Sequence, residues 1–141
     1  MDQSPPRYLL NRSLVIIRHQ QPFLDWLQAA DPNPQSDLTL DQFESDGDAF
    51  LIPGEPKVND QAQAVKWVEK RWKGIFKYLL NDWLSDESLW PQNRSLKMFR
   101  QWFTIEYRSM VWDLDEKTPL EIEDWGDDDE NEDFDQAPLL H

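Results

Sequence analysis

SLVIIRH, Ser13 to His19, holds four aliphatic side chains in succession: Leu14, Val15, Ile16 and Ile17. A strand with one solvated face alternates apolar and polar residues, so an unbroken run predicts a strand buried on both faces and central in a sheet. Upstream, residues 1–12 contain Pro5 and Pro6 and are expected to form an extended lead-in. Downstream, Pro22 suits the first position of a helix, and Phe23, Trp26 and Leu27 follow at helical spacing until Asp31 and Pro32 stop the run. The segment Asp31 to Asp37 has the Pro, Asn and Ser content of a loop, and Thr39 with Gln42 then gives a capping-box pattern for a helical turn or two. Phe50, Leu51 and Ile52, stopped by Pro53 and Gly54, predict a second buried strand over 48–53.

A second capping box, Asp60 with Gln63, opens one long helix on which Val65, Val68, Trp72, Ile75 and Leu79 recur at gaps of three and four. Ser95 caps a short helix carrying Leu96, Phe99 and Trp102. The period then falls to two over 103–114, which predicts a third strand, with a continued helix as the alternative. The expectation is an α+β domain over 13–114: a small sheet of about three strands, one long helix and several short ones. Connections long enough for β-α-β crossovers leave parallel pairing open.

Charge divides the chain sharply. From Asp113 to the end there are thirteen acidic residues and one Lys, a net of −12 out of −14, so the preceding 112 residues carry only −2. Residues 115–141 thus read as an acidic tail, largely disordered from about Asp124, because so little apolar surface cannot offset an ordering entropy of roughly 1 to 2 kcal/mol per residue. A negative molecule disfavours nonspecific nucleic-acid binding by the full-length chain and favours a basic partner. Solubility alone is the competing explanation of the tail. The chain contains no cysteine, which removes disulfides and thiolate chemistry and fits a reducing compartment. With no apolar run near 18 residues and no basic, apolar leader at Met1 to Tyr8, no membrane association is expected and a cytoplasmic location is favoured.

Two stretches carry a resemblance. VIIRHQQPFLDWL, Val15 to Leu27, with FLIP at Phe50 to Pro53, and LWPQNRSLKMFRQWFTIEYRSMVWDL, Leu89 to Leu114, together cover about a third of the chain. They resemble a family of short bacterial proteins with no assigned activity. The most specific signals are the Trp90-Pro91 pair with Arg94 three residues on, the pair Trp102-Phe103, and Ser109 to Val111. The resemblance implies an α+β domain and transfers no catalytic residue.

Three constellations carry the functional expectations. The first is the acidic tail, with Trp125 and Phe134 set among Asp127, Asp128, Asp129, Glu130, Glu132 and Asp133. Isolated apolar residues in an acidic segment suit docking of a short linear motif on a basic partner. The second is the stripe Lys66, Lys70, Lys73 and Lys77, which helical spacing gathers on one side as a polyanion surface that the tail could occupy in cis, or as a plain solvated face. The third is a small-molecule site around His19, Glu106 and Arg108, set against a structural histidine and an ordinary ion pair. No Gly-rich phosphate loop, G-x-S-x-G or H-E-x-x-H occurs, so enzyme chemistry is disfavoured and no cofactor or metal is expected. An EF-hand register from Asp127 places Asp129 and Asn131 correctly but puts Glu132 at the obligatory glycine and Pro138 at the bidentate glutamate. The reading that leads is a noncatalytic interaction protein.

Overall fold

A computed structural model describes residues 8–34, 38–45, 47–115 and 117–125. The run that reads as a central strand is one: β2 (Arg12–His19) lies between β3 (Asp48–Pro53) and β4 (Phe103–Arg108) in a three-stranded sheet of order β3-β2-β4. Both neighbours run antiparallel to β2, which corrects the parallel pairing. Because β3 and β4 each oppose β2, they run parallel to each other, and the helices between them form a crossover that spans the intervening strand. The β-α-β connection therefore exists in split form, with β2 inserted between the two parallel strands.

Directly opposed residues of antiparallel strands share a face. One face comprises Ser13, Val15, Ile17 and His19 of β2 with Ile52, Phe50, Phe103, Ile105 and Tyr107 of its neighbours. On β2 that face is fully buried, whereas Leu14, Ile16 and Arg18 on the other are half-buried, so burial on both faces holds only in part. One of the two polar members of the inner row, Ser13, donates its hydroxyl to the Ser109 carbonyl at 3.0 Å.

Helices close the inner face. Their buried side chains are Phe23, Leu24 and Leu27 from α1 (Gln21–Ala30), Ala64 and Val68 from α3 (Gln61–Glu69), Phe76, Leu79 and Leu80 from α4 (Trp72–Asn81), and Phe99 from α5 (Leu96–Trp102). With Val15, Ile17, Ile52 and Phe103 they make one core. α2 (Leu40–Ser45) is a short helix beside β2, opened as expected by Thr39, whose N–H donates to the Gln42 side chain at 2.8 Å.

The long helix expected from Asp60 is two helices. α3 ends at Glu69 and α4 begins at Trp72, with Arg71 between them at φ −114°, ψ 20°. Arg71 holds the joint: its guanidinium stacks 3.6 Å from the Trp67 ring centroid and its Nη1 donates to the Trp67 carbonyl at 2.8 Å. A side-chain cation thereby serves one of the carbonyls that a helix end leaves without an intrahelical donor. Burial holds the Arg71 pKa below its ordinary value. The break turns the second apolar face, so Phe76 and Leu80 join Leu79 inside while Trp72 and Ile75 are only half-buried.

Asp60 caps α3 as its sequence predicts, accepting from the Gln63 N–H at 2.8 Å, and the Gln63 side chain accepts from Asn59 N–H at 2.7 Å. Asp60→Ala is expected to cost about 1 kcal/mol of stability in a denaturant titration, and a loss below the measurement error would show that the cap is dispensable. Gln61, the first residue of α3, reaches the outer edge of β4: its Nε2 donates to the Ile105 carbonyl at 2.8 Å and its Oε1 accepts from the Tyr107 N–H at 3.1 Å.

The third strand is shorter than the expected 103–114. After β4 the chain continues to β5 (Trp112–Asp113), which pairs antiparallel with β1 (Tyr8–Leu9), so the end of the lead-in is half of a small ribbon. No helix of the described residues is long and apolar enough to cross a membrane.

Candidate functional site

The break at Arg71 redistributes the lysine stripe. Lys66 lies on α3, Lys70 caps its C-terminal end, and Lys73 and Lys77 lie one turn apart on α4. Lys73 and Lys77 meet other polar groups in a concavity. A cavity of about 190 Å3 is lined by Trp72, Lys73, Lys77, Gln92 and Arg94. It lies between α4 and the loop that follows a 3-10 turn at Glu87–Leu89.

That loop is fixed by indole donors. Trp90 is buried and gives its Nε1–H to the Leu84 carbonyl at 2.7 Å, while Trp26 of α1 gives its own to the Leu89 carbonyl at 3.0 Å. Pro91 leaves a carbonyl that accepts from Arg94 Nη1 at 2.8 Å, and the guanidinium carbon stands 5.7 Å from the Trp90 ring centroid. The Trp-Pro pair and the arginine three residues later thus form one wall of the cavity. Gln92 is the uncharged polar member, with its Nε2 donating to the Trp90 carbonyl at 2.6 Å and the Glu87 carbonyl at 3.3 Å. Lys73 Nζ lies 6.0 Å from the Trp72 ring centroid, so the indole forms a partly apolar floor beneath a cation.

The structure does not bring His19 together with Glu106 and Arg108. His19 opposes Phe103 on the inner face, packed against the rings of Phe23, Trp83 and Phe103 at centroid distances of 4.4, 6.2 and 5.7 Å. Burial pushes its pKa down to about 4. Glu106 and Arg108 oppose Ile16 and Leu14 on the other face. There Glu106 takes a 2.6 Å hydrogen bond from Arg18 Nε and a 3.3 Å contact from Arg108 Nη2. These contacts, the Arg18 hydrogen bond first, hold the Glu106 carboxyl below its ordinary pKa. An ionised glutamate between two arginines on a sheet face is an ion-pair network rather than a poised acid. Asp48 differs: burial and the neighbouring Asp82 hold its carboxyl above the ordinary range. Among the described residues no group of three or more His, Asp or Glu is placed to hold a metal ion.

Asp127, Asp128, Asp129, Glu130, Glu132, Asp133 and Phe134 lie outside the described residues. The segment leading to them does not. Residues 117–125 contain neither helix nor strand and are exposed throughout, with Leu120 at 70%, Ile122 at 89% and Trp125 at 82% of full exposure. Among the described residues, every large exposed apolar side chain except Leu51 and Tyr78 lies on the β1–β5 ribbon or in the chain from Met110 to Trp125. The other tryptophans are at least half-buried, apart from Trp112 on that ribbon.

Spacing along one helix could find Lys73 and Lys77 but not Arg94 or Trp72, because the loop that supplies Arg94 is brought to α4 by tertiary packing. The only advance signal was the spacing of Trp90, Pro91 and Arg94. Comparison of the chain with protein-family models, with curated proteins and with solved structures returned no match.

Proposed function

We propose that the chain is a noncatalytic interaction protein whose acidic C-terminal segment engages a basic partner. The observation that carries this reading is the concentration of exposed apolar side chains in the segment where the acidic charge begins. Leu120 and Ile122 alternate with Glu121 and Glu123, and Asp124 precedes Trp125. In an extended strand of that pattern Leu120 and Ile122 share one face and Trp125 stands on the other beside Glu121 and Glu123, so apolar anchors and carboxylates are interleaved along the segment, which fits an apolar groove rimmed by Lys or Arg. Carboxylates raise the association rate through long-range attraction, and the aromatic anchor supplies desolvated contact area. The folded part serves as the rigid carrier, and the resemblance to the short bacterial family belongs to the same proposal.

The test compares capture of a partner from an extract of the source cells by three proteins: the full chain, a chain ending at Leu120, and the full chain carrying Leu120→Ala, Ile122→Ala and Trp125→Ala. Both altered proteins are expected to lose capture with melting temperatures within a few degrees of the parent. Capture undiminished in the truncated chain would remove the reading. Loss on truncation with full capture by the triple variant would assign recognition to charge alone.

A further inference from the structure

We infer that the cavity between α4 and the Trp90–Arg94 loop is a binding site for a phosphomonoester group, held by Lys73, Lys77 and Arg94 against the face of Trp72. It shares no residue with the acidic segment, so it stands or falls separately from the partner reading above.

The ligand class follows from charge, size and donor geometry. Three cationic side chains line the cavity, and among the described residues that line it none is a carboxylate. A carboxylate offers two oxygens and one charge. A phosphomonoester offers three terminal oxygens and about −1.5 to −2 charge near pH 7, which matches three separate cationic donors better. The arginine is held by its hydrogen bond to Pro91 and its position over Trp90, so its remaining N–H groups meet the ligand at low ordering cost. The lysines differ by one helical turn and approach from the same side. The Gln92 amide nitrogen already serves two backbone carbonyls, so charge recognition falls on the three cations.

Size is compatible with this class: the cavity of about 190 Å3, open to solvent on one side, has room for a phosphoryl group, and an organic stem can extend out of its mouth. A nucleic-acid backbone would instead use all four lysines along the surface, including Lys66 and Lys70, which do not line the cavity. The phosphoryl group can come from a small ester or from a phosphorylated side chain of a protein, and the probes separate these sources.

The experiment titrates the full chain with inorganic phosphate, glycerol phosphate, a phosphoserine peptide and succinate, reading backbone amide shifts by NMR. Phosphate-bearing probes are expected to saturate, with the largest shifts in 72–77 and 92–94. Succinate at equal concentration is expected to bind at least tenfold more weakly. Affinity should rise as pH passes through about 6, where the second phosphate proton leaves. Lys73→Gln with Arg94→Gln should weaken binding at least tenfold, whereas Lys66→Gln with Lys70→Gln, an equal change of charge, should leave it within a factor of two. A stronger response to glycerol phosphate assigns a free ester as ligand, and a stronger response to the peptide assigns a phosphorylated protein. Equal losses in the two double variants, or no saturation by any phosphate probe at millimolar concentration, would overturn the inference.

Discussion

Phe103→Ala is expected to lower the free energy of unfolding by about 3 to 5 kcal/mol, the range for deleting a fully enclosed aromatic side chain. Phe103 is 3% exposed and stands where α5 hands over to β4 without a loop, its backbone already extended at φ −140°, ψ 150°. Its ring meets those of Phe23, Phe76, Phe99 and His19 at centroid distances of 5.5, 5.4, 5.2 and 5.7 Å. Those four partners come from α1, α4, α5 and β2, so truncation opens a cavity at the meeting point of the sheet and three helices. Domains of this size are stable by only about 5 to 15 kcal/mol, and a loss of this magnitude removes much of that margin. Urea titration should show the midpoint falling at unchanged slope. Phe50→Ala, at a half-buried position where the ring contacts Tyr78, is expected to cost clearly less. Equal costs would show that the core is not centred on Phe103.

The second large effect is a dependence on acid. With a folded pKa of about 4 against an ordinary value of 6.5, His19 stays neutral in the native state while the unfolded chain takes up a proton. Above pH 6.5 neither state is protonated there and the group has no influence. Between pH 6.5 and 4 the unfolded state binds more protons, so stability falls with decreasing pH by up to about 1.4 kcal/mol per unit, approaching about 3 kcal/mol in all. His19→Phe removes this contribution. The difference in unfolding free energy, variant minus parent, should therefore be flat from pH 8 to 7 and move in favour of the variant by about 3 kcal/mol on reaching pH 4. Referencing each protein to its own value at pH 7 cancels the packing change and the carboxylates common to both. A difference that stays constant across this range would show that His19 protonates in the folded state as easily as in the unfolded one.

Much of the domain could be read in the chain, for identifiable reasons. Leu14 to Ile17 located the middle strand because an aliphatic run leaves no side for water. Asp60, Thr39 and Ser95 marked helix starts because capping is a local interaction, decided within three residues. Strand direction was not readable, since a crossover long enough for parallel neighbours is equally long enough to pass over an inserted strand. The break in the long helix was hidden because Val68 and Trp72 keep their four-residue gap across it. At the break stands Arg71, whose attachment to Trp67 involves a buried cation that no apolar pattern displays. The site was legible to the same degree. His19, Glu106 and Arg108 came close in the topology yet fell on opposite faces, because a period of two decides facing only once the register is known. Lys73 and Lys77 were visible as neighbours, and Arg94 entered only through the packing of Trp26 and Trp90.

The amide of Gln61 has a consequence for assembly. By imitating a strand's own donor and acceptor against Ile105 and Tyr107, it occupies the β4 side of the sheet with a group that cannot hand the pattern on to another chain. Edge strands otherwise template further pairing, and a sheet open at both sides can propagate from molecule to molecule without end. At the Ile105 and Tyr107 positions of β4 that templating is closed to a second chain, because the carbonyl and the N–H that a new strand would need are already taken by Gln61.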